Sequence, residues 1–280
     1  MKRHQIVTTL LLTIFVFSCK DNQSGETPLV DEVEIIEPKI NLAELELNFM
    51  NWWTYHSNNI TLSSNFISLN ENSATIDKKE FLEKLITSKY IPVKLKSNKE
   101  FDTYKLFKLH SNANKSIGST LKSQSLTNLK HYNMEGMHFP DFDFTDLNGN
   151  VYTNENTKGK ILILKTWFIN CIACVAEFPE LNAFVEKYKQ RKDIIFLSLA
   201  LDSKAELEVF LQKKVFKYQV VSNQNEFIGK KMNLQIFPTH ILVDSNGTIL
   251  KVVNKASEMI AFFENENILT EKTAPPPPPM

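Results

Sequence analysis

Trp167-Phe168-Ile169-Asn170-Cys171-Ile172-Ala173-Cys174-Val175-Ala176-Glu177-Phe178-Pro179-Glu180-Leu181 is the stretch on which the fold turns. Just upstream, Lys160 is followed by the unbroken apolar run 161–164, the pattern of a central strand covered on both faces. Downstream, Pro179, Leu181, Phe184, Val185 and Tyr188 mark a helix that starts around Cys171. Strand, tight turn, Cys-x-x-Cys and helix together place Cys171 at a helix N-terminus. Unpaired N–H groups and the positive end of the helix dipole favour a thiolate there. Cys174 lies three residues on, one turn deeper and on the same side. Cys171 therefore reads as the attacking thiol and Cys174 as the thiol that resolves a mixed disulfide.

Other readings of the pair are weaker. Structural zinc needs four ligands; the chain has only three cysteines, and its six histidines show no ligand spacing. Covalent haem needs a His directly after the second Cys, where this chain has Val175. A disulfide between neighbours closes too small a loop to act as a staple. A peroxidatic thiol stays open as an alternative. No cofactor is expected.

Working outward, Phe142 and Phe144 lead into 146–151, a hairpin-type turn between short strands. Residues 193–200 repeat the buried-strand pattern, 203–213 read as a helix, 218–221 as a strand and 225–232 as a short helix. Ser245-Asn246-Gly247 joins two further strands, 239–243 and 248–253, and 256–266 close as an amphipathic helix. Alternating strands and helices followed by a hairpin and a helix make an α/β plan around a mixed central sheet flanked by helices.

With these motifs in order, 136–269 resembles the TlpA/ResA-like family of membrane-anchored thioredoxin-fold thiol-disulfide oxidoreductases. The active-site stretch, Gly159-Lys160 before the strand, and Phe237-Pro238-Thr239 opening a later strand carry the resemblance. It implies a thioredoxin fold in which Pro238 is cis, sits against both sulfurs and leaves the Phe237 backbone free for a substrate strand. Glu177 matches the family's acidic residue past the pair, which implies a part in proton movement during exchange. Trp167 and Phe237 are supporting positions. Thioredoxins commonly carry a buried acid where this chain has Lys165, inside the apolar strand and two residues before Trp167. An unpaired buried ammonium is costly, and Glu177 is the nearest carboxylate that the sequence offers, so the two are expected to pair beneath the dithiol. Two departures stand out. Asn170 replaces the family's usual Trp, and Ile172-Ala173 brings no proline, charge or side-chain donor to the thiolate. Losing one charge-assisted hydrogen bond of about 1.5–3 kcal/mol corresponds to roughly 30–65 mV and tilts the couple toward a reductant.

The N-terminus carries an address. Lys2 and Arg3 precede an apolar run, 6–17, too short for a spanning helix and suited to a secretory signal. Its end, Val16-Phe17-Ser18-Cys19, resembles a bacterial lipoprotein box. That implies lipidation of Cys19 and a place in the bacterial cell envelope, anchored by lipid and facing the periplasm. Residues 1–19 are thus a signal peptide with its lipobox Cys, 20–39 an acidic tether, and 270–280 a proline-rich tail. Residues 40–130 read as a small α+β N-terminal domain. Its clearest helix is 78–87 behind Asp77, with strand signals in 59–69, 92–96 and 102–109 and a loop-rich connection over 111–130. Trp52, Trp53 and Tyr55 read mainly as core.

Lys plus Arg equals Asp plus Glu at 32 each, so nothing in the balance favours nucleic acid as a partner. The expected partners are exported proteins with disulfides, a membrane or periplasmic electron donor, and the membrane through the anchor. The expected activity is extracytoplasmic thiol-disulfide oxidoreduction through the Cys-x-x-Cys dithiol, as a reductant of disulfides in exported proteins. The alternatives are a peroxiredoxin-like peroxidase, or a partner-binding lipoprotein whose dithiol is secondary.

Overall fold

The computed structural model describes residues 40–97 and 101–265. The expected signal segment with Cys19, the expected tether and the proline-rich tail lie outside them. Two patterns of sequence produce two sheets. In the N-terminal half, short helices α1 (Leu42–Leu45) and α2 (Phe49–Asn59) precede β1 (Ile67–Leu69), β2 (Thr75–Ile76), α3 (Lys78–Ile86), β3 (Tyr90–Leu95) and β4 (Thr103–Lys108). The strands form a sheet of order β2-β1-β4-β3. Asp77 caps α3 by accepting from the Glu80 N–H at 2.8 Å. Phe81, Leu82 and Leu85 face inward to pack with Tyr104 and Leu106. Trp52 is fully buried with Ile91 and Val93, as a core aromatic. Residues 59–66, expected to be extended, instead finish α2 and turn into β1.

The expected loop-rich connection over 111–130 is wrong. Residues Lys115–Met134 form α4, the longest helix described, capped by Asn114, whose side chain accepts from the Ser116 N–H at 3.0 Å. Ser, Asn and Lys fill its exposed faces, so its mean hydropathy is low. Yet Ile117, Leu121 and Ser125 recur every fourth residue and are all buried. Gly118 allows the close approach to α3: a Cβ there would lie 2.8 Å from the Ser88 carbonyl oxygen. The inward stripe is too sparse in apolar residues to signal a helix without its partner.

The second half begins with the hairpin β5 (Asp143–Thr145) and β6 (Val151–Thr153). Then come β7 (Ile161–Trp167), α5 (Ile172–Ala176), α6 (Phe178–Tyr188), β8 (Ile194–Ala200), α7 (Lys204–Leu211) and β9 (Gln219–Val221). A π-helical turn at Phe227–Lys231, β10 (Thr239–Val243), β11 (Ile249–Val253) and α8 (Ala256–Asn265) complete it. The sheet order is β11-β10-β7-β8-β9, with β7, β8 and β9 parallel and β10 antiparallel to β7. This is a thioredoxin fold. All seven residues of β7 are buried, as its unbroken apolar run requires. Their parity sorts the core: Leu162 and Leu164 meet Phe139, Phe144 and Phe227 on one face, while Ile161 and Ile163 meet Leu181, Phe184, Met259 and Phe263 on the other. The helix expected to run from Cys171 is broken at Glu177, which closes α5 and opens α6 ahead of Pro179.

The described residues of the two halves lie within one compact unit. Gly136 donates to the Ile249 carbonyl and Ile249 to that of Met137, both at 2.8 Å. Ser63 Oγ donates to Glu258 on α8 at 2.6 Å. Among the described residues no helix is long and apolar enough to cross a membrane.

Candidate active site

Strand β7 ends at Trp167, and the chain turns through Phe168-Ile169-Asn170 into α5. The turn is held from outside: the Ile169 N–H donates to Asp202 Oδ2 at 2.8 Å, and the Leu201 N–H to the Trp167 carbonyl at 3.1 Å. Cys171 takes the N-cap position of α5, where its Sγ accepts from the Cys174 N–H at 3.2 Å. The two cysteines form a disulfide with Cα atoms 5.2 Å apart. Cys171 retains 8% exposure and Cys174 none, so attack from outside can reach only the first sulfur. Between them Ile172 is 87% exposed, an apolar side chain standing beside the reachable sulfur. Trp167, Phe178, Ala200, Leu207 and Val220 pack around the pair, with Phe168 and Phe237 against the same cluster. The rings of Phe168 and Phe237 meet edge-on at 5.5 Å. The Phe237–Pro238 peptide is cis.

At the C-terminal end of α5, Glu177 gathers a charged cluster. Lys165 is fully buried, and its Nζ donates to Glu177 Oε2. Sequence reasoning placed these two together. It missed the other two partners of the same carboxylate: His240 Nε2, 3.0 Å from Oε2, and the Ala256 N–H at the start of α8, 2.9 Å from Oε1. A carboxylate oxygen only accepts, so a neutral His240 is held as its Nε2–H tautomer. Its Nδ1 has no hydrogen-bond partner among the described residues. The signal was present but non-local. β10 pairs with β7 so that His240 stands opposite Lys165, which puts both on the α6/α8 face of the sheet.

Burial alone would raise the Glu177 carboxyl, but the His240 hydrogen bond and the Lys165 charge outweigh it and bring it down to about 2. Burial pushes Lys165 below its ordinary value, against the pull of Glu177. Burial likewise lowers His240 and keeps it neutral. At neutral pH the cluster is thus a carboxylate held by an ammonium, a neutral imidazole and a helix N-terminus. Among the described residues there is no group of three or more His, Cys, Asp or Glu that could hold a metal ion.

A Cys-x-x-Cys disulfide capping a helix, beside a proline-opened strand of a thioredoxin sheet, has close counterparts among known proteins. Residues 136–252 match the AhpC/TSA family. Over 138 residues the chain is 28% identical to the thiol-disulfide oxidoreductase ResA of Bacillus thuringiensis subsp. konkukian, covering 49% of this chain and 79% of that protein. ResA of Geobacillus kaustophilus is 26% identical over 118 residues, 42% of this chain and 68% of the relative. This half of the chain is similar to the ResA/TlpA-like thiol-disulfide oxidoreductases. Among solved structures it is similar to the thioredoxin domain of a thiol-disulfide oxidoreductase from Bacteroides vulgatus, with a TM-score of 0.43 and 21% identity over 47% of this chain and 96% of that one. The family match leaves 40–130 uncovered.

Proposed function

We propose that this oxidoreductase reduces disulfides of exported proteins outside the cytoplasm, held at the membrane by lipid on Cys19. The reading is carried by the unequal exposure of the two disulfide-bonded cysteines: Cys171 keeps some surface and Cys174 none. In the reduced enzyme the Cys171 thiolate attacks one sulfur of a substrate disulfide, and the other substrate sulfur leaves as thiolate. Cys174, as thiolate, then attacks Cys171 Sγ and releases the second substrate sulfur. Two electrons pass to the substrate, the two substrate thiolates take up two protons, and the enzyme is left with the Cys171–Cys174 disulfide. A dithiol donor in the membrane or periplasm returns the electrons. Ile172-Ala173 adds no side-chain donor to the Cys171 thiolate, which supports the reducing direction. In this scheme Glu177, kept ionised by Lys165 and His240, lies one helical turn past Cys174 and handles protons during resolution.

The test is capture of partners in cells. Cys174→Ser should attack and stall, accumulating mixed disulfides with exported proteins, whereas Cys171→Ser should trap none. Equal trapping by both variants would remove the assignment of roles. Purified wild type should reduce insulin disulfides with a dithiol donor and leave peroxide consumption at background; the reverse result would replace reduction of proteins by peroxidase chemistry.

A further inference from the structure

A groove of about 320 Å³ runs between the N-terminal half and the segment that opens β10. One wall is the end of α2 and its continuation, with His56, Thr61 and Ser63; a second is the face of α4 with Gln124, Thr127 and Asn128. The third comes from the oxidoreductase half: Ile236, Asn254, Lys255 and Glu258. That third wall connects directly to the redox site. Ile236 is next to Phe237, which packs on the cysteine cluster, and is 49% exposed. Asn254 Nδ2 donates to the Pro238 carbonyl at 2.7 Å and to Thr239 Oγ1 at 3.1 Å, which ties this wall to the proline loop.

The lining has a definite chemistry. Lys255 and Glu258 are paired at 3.2 Å, and burial lowers His56 to about 4, so the wall is close to neutral at neutral pH. Gln124 and His56 face each other in the lining, Gln124 raising the imidazole against the pull of burial, and the rest of the polar lining is Thr61, Ser63, Ser123, Thr127, Asn128 and Asn254. The Phe237 backbone makes no backbone hydrogen bond to another described residue. A polypeptide paired there in extended form advances about 3.3 Å per residue. A few residues beyond the cysteine under attack therefore bring it past Ile236 into the groove.

We propose that this groove is a second binding subsite of the oxidoreductase, occupied by the substrate polypeptide flanking its disulfide, and that it selects uncharged polar side chains. The inference rests on the reductase reading and assigns the N-terminal half a role in choosing substrates. Three apolar side chains line the groove, but Ile60 and Leu62 are buried and only Ile236 is exposed, so the accessible lining is mainly polar.

The experiment compares pre-reduced enzyme on two oxidants: a small aromatic disulfide that touches only Cys171, and an unfolded polypeptide with one disulfide flanked by Ser, Asn and Gln. Thr127→Trp fills the groove and Asn128→Arg charges it; neither residue belongs to the redox machinery. Each variant is expected to lower kcat/KM on the polypeptide by about tenfold, the size of one well-buried contact. Each should stay within about twofold of wild type on the small disulfide, and Asn128→Ser should behave as wild type on both. Recasting the flanks as Glu or Lys should reduce the wild-type rate and erase the difference between wild type and variants. Unchanged polypeptide kinetics in both variants would overturn the subsite, and so would equal losses on both oxidants. If wild type reduces the small disulfide but no polypeptide, the reductase reading itself fails, which is a different outcome. Thermal melts of both variants confirm that folding is intact; should one fail to fold, the other carries the comparison.

Discussion

Replacing Lys165 by Met should destabilise the protein, and replacing Glu177 by Gln in the same chain should restore most of the loss. Lys165 is fully buried, and Glu177 is buried apart from a small exposed fraction. Removing one member of such a pair costs about 3–5 kcal/mol because the other charge is stranded. Here Glu177 keeps the His240 hydrogen bond and the Ala256 N–H, so we expect the lower end, about 3 kcal/mol. Glu177→Gln strands the ammonium instead. Its penalty is capped because Lys165 can lose its proton. From an ordinary value of 10.5, that release at pH 7 costs about 5 kcal/mol at most. The double variant leaves a methionine beside a neutral amide and should come within about 1–2 kcal/mol of wild type. Urea unfolding at pH 7 of the four proteins gives the coupling directly. Additivity within about 0.5 kcal/mol would refute the pair. Acid provides a second reading. The Glu177 carboxyl is depressed from 4.5 to about 2, so it contributes stability above its unfolded value that is lost as pH falls through its folded one. That contribution is roughly 3 kcal/mol, part of which is offset by the lowered Lys165. In Lys165→Met the acid limb should move to higher pH, and an unmoved limb would contradict the assigned cause.

Three further outcomes are expected. Asp202→Ala frees the Ile169 N–H, held at 2.8 Å, and should cost about 1–2 kcal/mol in a thermal melt while slowing exchange; an unchanged melt would mean that the turn needs no anchor. Gly118→Ala sets a Cβ 2.8 Å from a backbone oxygen. It should destabilise by about 1–3 kcal/mol despite alanine's better helix propensity, and a stabilised variant would show that α3 and α4 separate readily. Cys19→Ala should leave the signal uncleaved and move the protein out of the membrane fraction; unchanged fractionation would end the lipid-anchor reading.

The parts of the fold that were legible in the chain are those decided within a few residues. The unbroken run before Trp167 means a two-sided central strand wherever it occurs, and Asp77 followed by Glu80 makes the same cap in any helix. Ser245-Asn246-Gly247 turns a hairpin by its own backbone preferences, and here Gly247 takes a φ of 84°. Cys171 and Cys174 were readable for the same reason, since spacing along one helix start sets which sulfur lies deeper. Lys165 could be flagged because an ammonium inside an apolar strand demands a counter-charge.

What only the tertiary structure decided depends on register and on faces meeting. His240 became a partner of Glu177 because β10 pairs antiparallel with β7 and sets it opposite Lys165, and nothing within its own stretch distinguishes it from any strand histidine. The Ala256 N–H reached Glu177 only once α8 had packed beside α6. Helix α4 escaped notice because its inward stripe is short of apolar side chains, and Gly118 against Ser88 supplies closeness instead of hydrophobic surface. The groove beside Ile236 exists only where α2 and α4 of one half stand against Asn254 and Glu258 of the other. Local periodicity and turn chemistry act over a few bonds and can be read from the chain. The meeting of residues far apart in sequence is set by the free energy of the whole packed core, which no single stretch contains.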